Sequence, residues 1–89
     1  MLVKKVEIIN RLGLHARASS KLVELANKFQ AEITLEKDIK RANAKSIMTV
    51  MMLAGNKGSY ITITVDGVDE VEAMEQLTDL IANRFGESE

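Results

Sequence analysis

The sequence has 89 residues, a length that suits one domain covering residues 1–89. Its 46% hydrophobic and 28% charged residues point to a packed core rather than a disordered chain. With 12 Lys plus Arg against 13 Asp plus Glu, one Tyr, two Phe, one His and no Cys, it argues against a basic stacking surface for nucleic acid, disulfides, thiolate metal sites and any ordinary zinc site.

Leu2 to Ile9 reads as a strand, with Leu2, Val6 and Ile8 on one face and Lys5 and Glu7 on the other. Asn10-Arg11-Leu12-Gly13 breaks the alternation and is predicted as a loop. From Ala16 the period lengthens. Ala18, Leu22, Leu25, Ala26 and Phe29 form one helical stripe, with Arg17, Lys21, Glu24 and Lys28 mainly on the wet side. Glu32 to Lys37 alternates again, with Ile33 and Leu35 inward, and a turn at Asp38 leads to a short strand around Lys40–Asn43.

A short helix is predicted to start after Ser46 and end before Gly55. Gly55-Asn56-Lys57-Gly58 lacks the phosphate-loop pattern and precedes a strand, so it is assigned to a turn. Ser59 to Asp66 alternates Ile61, Ile63 and Val65 against Tyr60, Thr62 and Thr64, the strongest strand signal in the chain. Asp66-Gly67 turns the chain, and Asp69 with Glu72 resembles a capping box. Ala73, Met74, Leu77, Leu80 and Ile81 then make another helical stripe. Gly86 suits the position just past that helix, and Glu87-Ser88-Glu89 reads as a frayed tail.

The resulting βαββαβα order implies an α+β fold, an open-faced β-sandwich related to the ferredoxin-like plan. It has a four-stranded antiparallel sheet with three helices on one face and the other face toward water. Met1 to Lys5 lacks the apolar run of a secretion signal, and no stretch approaches the roughly 20 apolar residues of a membrane helix; a cytoplasmic protein is expected.

Leu12-Gly13-Leu14-His15-Ala16-Arg17 carries the most chemistry. It puts the single histidine where a Gly-bearing loop enters the first helix. Helix openings present unpaired N–H groups and a partial positive charge, so the amides of Ala16, Arg17 and Ala18 could hold an anion. The planar guanidinium of Arg17 suits phosphate oxygens. Unperturbed imidazole is mostly neutral at pH 7 and offers a lone pair, which suits a reversible phosphoryl acceptor. The plainer alternative is a surface histidine serving as a poor helix cap beside a solvated arginine. Ser46 in turn is placed to cap the second helix. Ile47 to Leu53 is apolar except for Thr49, and so short a helix cannot be buried all round. Some of Ile47, Met48 and Met51 are therefore expected to face solvent while Val50 and Leu53 face the core, unless all of them are core. Glu32, Glu36, Asp66, Asp69 and Glu70 show no metal-ligand spacing.

Gly13-Leu14-His15-Ala16-Arg17 resembles the phosphorylation-site motif of the HPr family, the histidine-containing phosphocarriers of the bacterial phosphoenolpyruvate:sugar phosphotransferase system. Ala44-Lys45-Ser46-Ile47-Met48 resembles that family's second signature, in matching register, and the resemblance spans essentially the whole chain. It implies that His15 accepts phosphate from enzyme I and passes it to IIA proteins, with Arg17 stabilising the phosphate. It also implies that Ser46 is a regulatory phosphorylation site for an HPr kinase, and that Ile47, Met48 and Met51 belong to the partner surface. The protein would then be a carrier rather than an autonomous catalyst, monomeric, with no cofactor, metal, nucleic acid or membrane partner. One residue departs from the pattern: Ala18 stands where the family usually has proline. Other readings are a regulatory protein-binding module that does not relay phosphate and, disfavoured by charge and aromatics, an RNA-binding domain.

Overall fold

A computed structural model describes all residues from Met1 to Glu89. Its elements run β1 (Leu2–Glu7), α1 (Ala16–Ala26), β2 (Glu32–Lys37), β3 (Lys40–Asn43), α2 (Ile47–Met52), β4 (Tyr60–Asp66) and α3 (Glu70–Ala82), followed by a short 3₁₀ turn at Arg84–Gly86. The four strands form one sheet in the order β1-β4-β2-β3, every neighbouring pair antiparallel. The α+β architecture is thus the one its periodicities predict.

Alternation decides which side of the sheet is covered. Ile33, Leu35, Ala42, Ile61, Ile63 and Val65 are buried beneath the helices, whereas Thr34, Thr62 and Thr64 between them keep some exposure. Central β4 brings Val65 opposite both Leu2 and Ile33, and Ile63 opposite both Lys4 and Leu35. From the helix layer, Ala18, Leu22 and Ala26 of α1, Val50 of α2 and Ala73, Leu77 and Ile81 of α3 complete a continuous core. Each large aliphatic chain so buried contributes about 1.5–3 kcal/mol.

Four local expectations need correction. The first strand stops at Glu7, because its partner β4 begins at Tyr60; only the bonds Ile8 N–H to Ser59 O and Gly58 N–H to Ile8 O carry the pairing further. Asp69 does occupy the N-cap of α3, but its carboxylate does not cap. It accepts the N–H groups of Gln30 and Ala31 at 2.8 and 2.9 Å, tying α3 to the start of β2, while Glu72 accepts from Gln76. The unpaired N–H groups on the approach to β2 outcompete the helix's own first turn for the carboxylate, and these bonds, that to Gln30 foremost, hold the Asp69 carboxyl below its ordinary range.

The last helix ends at Ala82 rather than near Gly86, and Arg84, Phe85 and Gly86 all take positive φ. Burial of Phe85, 1% exposed, opposes the cost of that left-handed turn. The turn sends Glu87 to Glu89 back across the molecule, so the tail is docked and not frayed. Arg11 N–H donates to the Glu89 carbonyl at 3.0 Å, and the Arg11 guanidinium pairs with the Glu89 carboxylate at 3.0 Å.

Candidate functional site

The loop before α1 is braced at both ends. Gly13 has φ +63, and a Cβ there would lie 2.3 Å from the Gly55 carbonyl, so both conformation and space require glycine. Leu14 N–H donates to that same carbonyl at 2.7 Å, and the buried Ser19 hydroxyl donates to the Leu14 carbonyl at 2.9 Å. The turn assigned to residues 55–58 therefore props the loop that presents the histidine.

His15 is the N-cap residue of α1, in extended conformation, and its ring makes no cap bond. The first intrahelical bond runs from Ser19 N–H to the His15 carbonyl, which leaves the amides of Ala16, Arg17 and Ala18 without helical acceptors. Ala16 and Arg17 are exposed and Ala18 is fully buried. Arg17 lines the same open cleft as His15, together with Arg11, Glu87 and Glu89.

Sequence reasoning missed the other wall of this cleft. The Glu87 carboxylate pairs with His15 Nε2, the two side chains being 18% and 27% exposed. Its second oxygen accepts from Asn10 Nδ2 at 3.0 Å. Asn10 is fully buried and uses its other amide hydrogen on the Gly13 carbonyl at 2.8 Å. The Asn10 hydrogen bond, then that of His15, holds the Glu87 carboxyl below its ordinary range. No local pattern signals Glu87 or Asn10. The one usable hint is Phe85, four residues beyond Ile81, an apolar residue too near the end to leave the tail free.

Ser46 lies away from this cleft, at the N-cap of α2, but its hydroxyl makes no cap bond. That expectation is also corrected: Thr49 Oγ1 donates to the Ser46 and Asn43 carbonyls and secures the turn instead. Val50 and Leu53 are buried, whereas Met48 is 70% and Met52 69% exposed, with Ile47 and Met51 more than one third exposed. Met52 was not singled out by sequence. No helix is long and apolar enough to cross a membrane.

Residues 2–83 match the family model described as PTS HPr component phosphorylation site. The phosphocarrier protein HPr of Neisseria meningitidis serogroup A is 54% identical over 89 residues, covering all of both chains. That of Cupriavidus necator is also 54% identical over 89 residues, again covering both completely. Among solved structures, HPr-C-His from Thermoanaerobacter tengcongensis superposes with a TM-score of 0.96 at 44% identity, over 100% of each chain.

Proposed function

The chain belongs to the HPr family of phosphocarrier proteins of the phosphotransferase system, and on that premise we propose that His15 takes up the phosphoryl group and gives it back. The observation that carries the reading is the meeting, in one open cleft, of His15, Ala16 and Arg17 at the opening of α1, where the amides of Ala16 and Arg17 have no helical acceptor. A phosphoryl group there meets backbone donors and a positive helix end at no cost of reorganisation. Ala18 keeps an N–H that the family's usual proline would lack, but Ala18 is fully buried and does not line the cleft.

Transfer runs from enzyme I to His15 and on to IIA proteins; the protein is a stoichiometric, monomeric intermediate in the cytoplasm with no reaction of its own. Ile47, Met48 and Met51 present adaptable apolar surface to those partners, and Met52 extends it. Ser46, at the start of that surface, is the regulatory site. Its phosphorylation by an HPr kinase adds negative charge at a helix opening, which leaves the fold intact and alters docking.

Incubation with enzyme I and labelled phosphoenolpyruvate is expected to label the chain once, in an acid-labile, base-stable form. Label must vanish in His15→Ala and persist in Ser46→Ala. Label surviving in His15→Ala ends the reading.

A further inference from the structure

Two arginines line the cleft of His15, and the chain's own tail occupies one of them. Arg17 makes no ion pair, whereas the Arg11 guanidinium meets the Glu89 carboxylate at 3.0 Å. Residue 11 starts from a fixed base. Its neighbour Asn10 is fully buried and donates to the Gly13 carbonyl at 2.8 Å. The Arg11 N–H donates to the main-chain oxygen of Glu89 at 3.0 Å. The two residues are therefore joined twice, once through the backbone and once through side chains, and the second bond can break while the first holds.

That side-chain bond is the weak one. The Arg11 and Glu89 side chains are 67% and 64% exposed, and an ion pair so placed shifts an equilibrium by less than about fivefold. A phosphoryl group carries about −1.5 to −2 charges and three acceptor oxygens, and a guanidinium fork bonds two such oxygens at once. It is the stronger claimant for Arg11. Charge runs the same way. The cleft sets two guanidiniums against two carboxylates, those of Glu87 and Glu89. A dianion on His15 is more than Arg17 alone offsets, and it stands against Glu89 as a like charge.

We propose that Arg11 is a second phosphate-binding residue and Glu89 its resident counter-ion. Loading of His15 draws the Arg11 guanidinium off the Glu89 carboxylate onto the phosphoryl oxygens, and unloading returns it. This rests on the carrier reading of His15 above. Only ionic hydrogen bonds are exchanged in it; no covalent bond and no proton moves. The tail stays docked through the buried Phe85 side chain and the Lys21 ammonium, which donates to the Phe85 carbonyl at 2.6 Å.

The test is the phosphorylation equilibrium of the full chain with phosphoenolpyruvate, enzyme I being present in catalytic amount and the product pyruvate in fixed excess. A catalyst does not move an equilibrium, so the labelled fraction reports how well the chain holds phosphate and is blind to docking. Arg11→Ala should lower the equilibrium constant about threefold, the size of an exposed charge contact, and Glu89→Gln should raise it about as much. In the double variant the gain from Glu89→Gln should shrink to less than about half on a logarithmic scale, because it acts through Arg11. Changes of the same sign in the two single variants would make Arg11 only an anchor of the tail. Equal gains from Glu89→Gln with and without Arg11 would make Glu89 a screened like charge and nothing more. Either result, or an unmoved constant in Arg11→Ala, overturns the proposal. The carrier reading fails separately, through label that persists in His15→Ala.

Discussion

Arg17 and Glu87 line the same cleft as His15 and answer to different physics. Arg17 is exposed and has no ion-pair partner, so on the proposed carrier reading its guanidinium is free for a dianion. Arg17→Ala should slow phosphoryl transfer by about tenfold to a hundredfold, below the loss of a fully enclosed donor because water shares the site. The fold should be untouched, and unchanged transfer kinetics would remove Arg17 from the site. Glu87 is already engaged within the protein, by Asn10 and His15. Its carboxyl is held below the ordinary glutamate range, by Asn10 first and His15 second, with Lys21 adding to the effect. The sign follows directly: the stabilisation is complete above the ordinary glutamate value and is lost as pH falls through it toward the lowered one. Acid titration from neutrality should therefore release the tail locally, read from the Asn10 side-chain amide signals. Arg11 and Glu89 also face this cleft, so Glu87→Gln is the control and should remove most of the response.

At the scale of elements, the helix openings show how a correct position can conceal a different bond. Ser46 and Asp69 both sit at N-caps, yet neither side chain caps. Because the Ser46 hydroxyl bonds nothing, Ser46→Ala should change stability by less than about 0.5 kcal/mol, where a working cap would cost about 1. A larger loss in denaturant unfolding would show that the hydroxyl does cap. Met48→Glu, at an exposed position on α2, should weaken enzyme I binding without unfolding the protein; if it unfolds, Met48 is core. Legibility divides along the same line. Strands β2 and β4 were readable because every second residue meets the same helix layer, and α1 because its stripe is continuous. The placement of His15 and Arg17 at a helix opening was readable because the stripe of α1 starts just after them. Glu87 was not, because its partners Asn10 and His15 lie 77 and 72 residues away and the Asp69 bonds span 39 and 38. Local pattern encodes period and propensity; it does not encode which distant donor will claim a carboxylate.

For the molecule as a whole, the tail is where fold stability and site geometry meet. A chain of 89 residues has a total stability of about 5–15 kcal/mol, so one large core side chain is a substantial share. Phe85 is such a side chain, inserted after the last helix and packed within the same core as Leu22 and Leu77. Its backbone carbonyl also receives Lys21, so it anchors the segment that carries Glu87. Phe85→Ala should cost about 3–5 kcal/mol, seen as a lower midpoint in denaturant with an unchanged slope. Under native conditions the damage should reach the site as well: the Asn10 side-chain amide signals, which report its bond to Glu87, should shift although no residue of the cleft has been altered. Glu87→Ala should do the reverse, shifting those signals at little cost to global unfolding, because the core anchor remains. If Phe85→Ala destabilised the protein and left those signals unmoved, the tail would be held by Asn10, Lys21 and Arg11 alone, and the coupling between core and cleft would be absent.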